Sequence, residues 1–430
     1  MTRRVFFIIL LIMLAAAAAT ASAGCATLLE DYLLQETPRA VSPPDRLPEE
    51  PTVEISDYGE LKAEIMGLIM RHEGQGLMVA YTYDGDISKD VARARREIMD
   101  EDPVGSYAVS EIAGTATRIV TYSEVEVRIT YKRTKQQVES IVNVATDRYL
   151  IGEILRVLRD CDDEAVFRTS QQFTEEGILW SVRDLYYKNP REVLMMPVTG
   201  VGIFPAYGGG ERIYELKFGY PEQTSILRNY KANLAFYVRN NAELASGDND
   251  AEILLSLAEN LIEASSFNLA AARSISVHGA QNLAVTAYGA LVSGRAAGEG
   301  FAMAYKALCD ELMFDCSVVL GRLDGMIHAW NIVSLNGEYY HVDVAMGDMN
   351  GIETTFLKTD EDMMERYAWD MDNTVRCNGT LTYEEIVPPE EPEDIEGFEG
   401  DWDGEGPIGS EDGEDGIESE EQAPAEDTPE

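Results

Sequence analysis

Basic residues and cysteines are both scarce in this 430-residue chain. It has 34 Lys and Arg against 77 Asp and Glu, a formal net charge of −43. A surface that acidic repels nucleic-acid phosphates and anionic lipid headgroups, so neither is expected as a partner. Cationic partners, or a cation-rich wall surface, are what the charge permits. Five cysteines occur, Cys25, Cys161, Cys309, Cys316 and Cys377, too few for a disulfide-built scaffold. Setting Cys25 aside leaves four, as buried free thiols or as one or two bridges in an oxidising place. No C-x-x-C is present and no spacing matches a zinc site, so neither a metal nor another cofactor is expected. The stretch from Pro388 to Glu430 has 19 acidic residues and no Lys or Arg. It cannot bury enough apolar surface to fold alone and reads as a solvated, disordered tail over 388–430. Its Asp401-Trp402-Asp403-Gly404 fragment lacks the ligand spacing of a calcium loop.

At the other end the chain carries an export signal. Arg3 and Arg4 precede an apolar run from Val5 to Ala19, then Ala21-Ser22-Ala23-Gly24-Cys25. Cleavage after Ala23 gives a secreted chain. Cleavage before Cys25 gives a lipoprotein anchored to the membrane through lipid on Cys25, although Ser22 sits where a large apolar residue is usual. An uncleaved anchor is the third reading. All three place the remainder outside the cytoplasm. Residues 1–25 are thus assigned to the signal and 26–52, rich in Pro and charge, to a tether.

Residues 53–245 read as an α+β scaffold. Helical sequence from Ser88 to Asp100 ends at Asp102-Pro103. Strand-like runs follow at Tyr107 to Ile112, Thr117 to Tyr122 and Val125 to Tyr131, and Thr134 is placed to cap a helix from Lys135. Further on, Thr174 to Tyr187 ends at Asn189-Pro190. Strand-like Glu192 to Val198 and Arg212 to Tyr220 come next, then a helix from Thr224 to Lys231. Pro103 with Pro190 and Tyr131 with Tyr220 keep offsets of 87 to 89 residues. Two readings stand: an internal duplication, or two ordinary segments that look alike. The glycines of Thr199 to Gly210 lead into a strand, which suits a loop or hairpin connection better than a phosphate cradle. Ser246 to Asp250 supplies cap residues before an amphipathic helix from Ala251 to Ala264, and a boundary is placed there.

Chemistry is concentrated between Tyr288 and Cys377. A turn at Ser293-Gly294-Arg295 and then Gly298-Glu299-Gly300 lead into a helix, Phe301 to Leu312. A cysteine at such a helix start would have a depressed pKa. Strand-like Met326 to Val333 contains His328, and Tyr339 to Val344 contains Asp343. Neighbouring antiparallel strands bring such a pair within hydrogen-bond reach. An Asp that orients a His is the base–orienter half of a catalytic triad.

The pieces AYGALVSGRA, GEGFAMAYKALCDEL, HAWNIVSLNGEYYHVDVAMGD and FLKTDEDM, with Trp369 and Cys377 after them, resemble the bacterial transglutaminase-like family. That family shares the papain-like fold. The resemblance covers about 100 residues closely and implies an α+β domain over 246–387, with a helix packed on an antiparallel sheet and a Cys, His, Asp triad at their junction. It implies His328 as general base and Asp343 as its orienter, with Glu299, Trp330 and Asn331 beside them in a binding groove. The family reads A-V-C-E-G-Y-A at the helix start, and here the cysteine position is Gly298. Losing the nucleophile of a concerted unit costs on the order of 10⁶ in rate. Cys309 lies roughly 16 Å down the same helix and Cys316 beyond it, so neither substitutes. Glu299 also reads as a first-turn acid favoured by the helix dipole. His278 and His341 are assigned no role.

The expected protein is therefore exported and non-catalytic, binding peptide, cell-wall material or a protein partner. One alternative is an active cysteine-type protease, amidase or acyl transferase with another nucleophile near His328. The other is a structural surface lipoprotein, which a closed groove over Gly298 would favour.

Overall fold

The computed structural model describes residues 53–208, 210–274 and 282–388. The export segment with Cys25, the tether, His278 and the tail from 389 lie outside the described residues. Described residues up to Ile386 belong to one compact unit, and Val387 begins the other. Among the described residues no helix is long and apolar enough to cross a membrane. The architecture is mixed helix and sheet.

The first part runs β1 (Val53–Glu54), α1 (Tyr58–Arg71), β2 (Gln75–Ala80), α2 (Ile87–Asp100), α3 (Pro103–Ala108), β3 (Val109–Arg118), β4 (Ser123–Tyr131) and α4 (Lys135–Glu139). The second runs β5 (Val142–Asn143), α5 (Asp147–Asp160), β6 (Glu164–Thr169), α6 (Glu175–Lys188), β7 (Val198–Phe204), β8 (Arg212–Gly219) and α7 (Thr224–Glu243). Their sheets have matching orders, β1-β2-β4-β3 and β5-β6-β8-β7. Each has one parallel edge pair, and the other pairings are antiparallel. The register matches as well: Leu77 faces Glu126, and Val166 faces Glu215. Helices α1 and α5 both end on a non-glycine residue in the left-handed region, His72 at φ 60° and Cys161 at φ 53°. Both residues donate their N–H back to the last turn, as a left-handed cap does.

Local chemistry explains where the elements depart from the sequence reading. Thr134 forms the expected cap, as a full capping box with Gln137. Tyr107 and Ala108 are helical instead of extended. Asp102 accepts hydrogen bonds from the Val104 and Gly105 amides and Pro103 opens the turn, so α3 forms and β3 starts at Val109. The run expected as a strand over Thr117 to Tyr122 is the end of β3 and its turn. Glu192 to Pro197 is not a strand, and β7 begins only at Val198. Pro190 and Pro197 bracket that segment and remove two ladder donors. The glycine-bearing Thr199 to Phe204 stretch lies within β7, not in a loop, and the hairpin connection follows it.

The third part carries the site. Its elements are α8 (Asp250–Ala264), β9 (Ser266–Phe267), α9 (Leu269–Ser274), α10 (Ala287–Leu291), β10 (Arg295–Ala296), α11 (Gly298–Glu311), β11 (Cys316–Leu323), β12 (Met326–Leu335), β13 (Glu338–Val342), α12 (Val344–Asn350), α13 (Asp360–Met363), β14 (Tyr367–Trp369) and α14 (Tyr383–Ile386). The sheet is antiparallel, in the order β13-β12-β11-β14. Helix α11 packs on β11 and β12. Every residue from Gly300 to Cys309 is buried, the pattern of a helix enclosed on all sides. Lys306 is part of this, and its ammonium is satisfied by Asp310 Oδ1 and the Cys316 carbonyl, both at 2.9 Å. The apolar core does not stop at the boundary placed at 246. Leu185, Tyr186 and Met195 of the second part share one cluster with Tyr288, Phe301 and Leu308 of the third.

Candidate functional site

Gly298 is the first residue of α11 and is buried. Two residues on, Gly300 is required by close approach, because a Cβ there would sit 2.4 Å from the Ala284 carbonyl oxygen. This packing fixes the helix start against the segment before it. His328 projects from β12 toward Gly298. A Cβ built on Gly298 would lie 2.5 Å from both Cε1 and Nδ1 of His328. The imidazole therefore fills the space that the side chain of a nucleophile would need.

The other face of the ring is firmly held. His328 Nε2 lies 2.6 Å from Asp343 Oδ2. The same oxygen accepts the Tyr367 hydroxyl at 2.9 Å, and Oδ1 accepts the Met346 amide at 3.1 Å. Asp343 is fully buried, one residue past the end of β13, where it caps α12. Its own amide donates to the Thr355 carbonyl, and the Thr355 hydroxyl donates to its carbonyl. The carboxyl is thus an acceptor for three donors, so His328 donates an N–H from Nε2. Its Nδ1 edge faces Gly298. No described thiol or hydroxyl hydrogen-bonds Nδ1. Cys309 is fully buried with its thiol pushed up by burial, and Cys316 receives Asn331 Nδ2 at 3.5 Å; neither touches His328.

The three residues expected in a binding groove sit elsewhere. Trp330 is 1% exposed and Asn331 0%, so neither lines an open groove. Asn331 Nδ2 donates to the Ala302 carbonyl at 2.9 Å and clamps β12 to α11. Its Oδ1 has no partner among the described residues. Glu299 turns to the second part of the chain, where its Oε1 accepts the Tyr187 hydroxyl of α6 at 2.9 Å. Burial raises its pKa to about 7, against the opposing pull of Tyr187 and Arg183. By surface area Glu299 is only half-buried, so the desolvation comes from the protein packed around the carboxyl more than from full enclosure.

A second His–Asp pair lies behind the first, and the sequence reading passed over it. Trp330 Nε1 donates to His341 Nδ1 at 2.9 Å, and His341 Nε2 lies 3.0 Å from Asp360 Oδ1. His341 is fully buried, and burial lowers its pKa, which keeps the ring neutral. Tyr367 and Trp369 stand edge-on to Trp330 and close the cluster. A signal was available: 328 with 330 and 341 with 343 are i, i+2 pairs on two facing strands, so each pair shares one side of the hairpin. Cys377 joins His341 and Asp360, the three ligand atoms lying within 4.8 Å of one another. The trio does not fit a metal. His341 Nδ1 accepts from Trp330, so a metal on Nε2 would force a proton onto Nδ1 against the indole N–H. Burial also pushes the Cys377 thiol up to about 12.

No protein-family model matches the chain, and no curated protein matches it. Among solved structures, a transglutaminase aligns at 11% identity with a TM-score of 0.25, over 47% of this chain and 58% of that one. A candidate cysteine protease from Cytophaga hutchinsonii aligns at 11% identity and TM-score 0.22, over 43% of this chain and 65% of that one. A candidate protease from Parabacteroides distasonis aligns at 8% identity and TM-score 0.21, over 63% and 43%. With overlaps this shallow, the roles of residues in this chain rest on its own geometry.

Proposed function

We propose that this chain is an exported, transglutaminase-like protein that has given up catalysis, held at the membrane through lipid on Cys25. The observation that carries the reading is the 2.5 Å approach of the His328 ring to the place where a side chain on residue 298 would begin. The base and its orienter remain, but the nucleophile's space has become packing. His328 and Asp343 then act as a satisfied buried polar pair joining β12 to the cap of α12. With Gly298, Trp330 and Asn331 buried, recognition of peptide, cell-wall or protein ligands passes from a groove to the two α+β units. Their matching strand order, register and left-handed caps support an origin by duplication.

The test uses the full chain with peptide amides and a primary amine, following ammonia release and amine incorporation. No turnover is expected. Turnover that is thiol-dependent and disappears in His328→Ala would overturn the reading. Mass spectrometry of the mature amino terminus tests the anchor, with a diacylated or triacylated Cys25 expected.

A purely structural surface protein is the second reading. It is favoured by the same closure over Gly298, and it is separated from the first by whether the α+β units bind anything.

A further inference from the structure

The two α+β units use one face of their sheets very differently. In the second unit, the face opposite α5 and α6 carries Val166, Phe204, Ile213 and Glu215, and it is covered by the first unit. Val166 and Ile213 join the first unit's core. Glu215 is 5% exposed and takes Arg133 in a two-pronged pair, at 2.9 Å to Oε1 and 2.7 Å to Oε2. The guanidinium also sits 5.0 Å from the Tyr107 ring centroid and 5.8 Å from that of Phe204. Docking there joins an arginine, a carboxylate, aromatic rings and aliphatic side chains. Such a fork geometry, partly desolvated, is the strong form of an ion pair.

The matching face of the first unit is half-exposed: Leu77, Glu124 and Glu126 are intermediate and Val79 is buried, with Tyr81 exposed at its edge. Glu126 occupies the register position of Glu215, since Leu77–Glu126 and Val166–Glu215 are corresponding pairs. Beside it on β4 is Glu124, which accepts the Tyr122 hydroxyl at 3.1 Å. Tyr122 and Tyr81 form a ring pair 5.7 Å apart, and Tyr81 is 57% exposed. Leu77 and Val79 supply the aliphatic floor. The ingredients around Arg133 recur, with the arginine supplied by the same strand and not by another unit. Among the described residues Glu126 pairs with Arg128 of its own strand, whose side chain is 65% exposed. An exposed pair of that kind is worth little and yields readily to a competing arginine.

Resting on the reading that recognition has moved to these units, we infer that this face docks an arginine-bearing cationic segment of a partner protein. The segment would place guanidinium on Glu124 or Glu126 and against the Tyr81–Tyr122 rings, as Arg133 sits on Glu215 and its rings. The whole chain is acidic, so the discriminating feature is position, not charge alone.

The experiment titrates full-length chain into a fluorescein-labelled peptide of alternating Arg and Tyr, at 0.15 M salt, by fluorescence anisotropy. Binding is expected, with little for the peptide's Arg→Gln counterpart. The double variant Glu124→Gln, Glu126→Gln should weaken binding by about tenfold or more. A double variant in the tail, Glu411→Gln with Asp412→Asn, removes the same charge and should leave binding within about twofold. Hydrogen exchange should slow in β2 and β4 on binding. Both glutamates are half-exposed, and unchanged thermal melting shows that the variants fold. No binding, equal weakening by the tail variant, or binding that appears only when residues 36–52 are deleted would each overturn the inference, the last by showing that the chain's own tether occupies the face. The assay is independent of chemistry, so turnover on peptide amides would sink the non-catalytic reading and leave this result standing.

Discussion

The third part of the molecule holds two His–Asp pairs of equal composition and different standing. His328–Asp343 abuts Gly298, and His328 as a residue keeps a sliver of exposure, 8%. His341–Asp360 is sealed beneath Trp330, with His341 at 0% and both ring nitrogens satisfied. One pair has the layout of a base and its orienter, with Nδ1 directed at Gly298. The other has the same atoms with nowhere to send a proton. A His–Asp contact is therefore no sign of chemistry by itself. What separates the two is what meets the imidazole's second nitrogen: a Trp N–H in one case, the backbone of Gly298 in the other.

Removing the acids gives the largest test of that contrast. Asp343 satisfies three buried donors, so Asp343→Ala should cost about 3–5 kcal/mol of unfolding free energy. Asp360, 15% exposed at its side chain, accepts from His341 and, at 3.3 Å, from the Cys377 amide. Asp360→Ala should cost roughly 1–3 kcal/mol. Urea denaturation measures both, and a reversed order would break the ranking of the two pairs.

Next comes the glycine. Gly298→Cys must push His328 off Asp343 or strain the helix start, a loss of about 1–3 kcal/mol. Its thiol should react with a disulfide reagent no faster than an ordinary buried cysteine. A stable variant with a fast-reacting thiol near pH 6 would show the imidazole free to swing and the slot still usable.

Glu299 reports how dry that end of the helix is. Burial raises its pKa to about 7, so the folded chain holds this proton more tightly than the unfolded chain. Its favourable contribution is full below about pH 4.3 and is lost as pH rises through 7, at most on the order of 2 kcal/mol for a half-buried group. Melting temperatures at pH 5 and pH 8 should differ more in the parent chain than in Glu299→Gln. An identical difference in both would remove Glu299 from the account. The smallest signal is from His341, whose lowered pKa predicts a predominantly neutral imidazole by NMR at pH 6.5.

Much of this was legible because it is local. Although α11 begins at Gly298, three residues before the Phe301 start read from composition, the cap at Thr134 and the spacing of His328 and Asp343 on one hairpin depend on neighbours in the chain. So does the constant offset between the two α+β units, which the shared register of Glu126 and Glu215 extends. What escaped reading depends on distant residues. His341 looked plain until Trp330 and Asp360 closed on it from both sides. Tyr367 came to Asp343 from β14, and Tyr187 drew Glu299 away from the site from more than a hundred residues earlier. The boundary placed at 246 followed turn residues, which mark a change of element but not the edge of a core.

The sequence alone determined that position 298 has no side chain and that a His and an Asp share one side of a hairpin; their place opposite residue 298 was what the family resemblance implied. Glycine fixes the first, and the alternation of residues along paired strands fixes the second. Only the tertiary structure decided that the vacated space is filled. That depends on the rotamer of His328, which Asp343 holds through a carboxyl anchored by Tyr367, Met346 and the cap of α12, and no pattern within the strand specifies it.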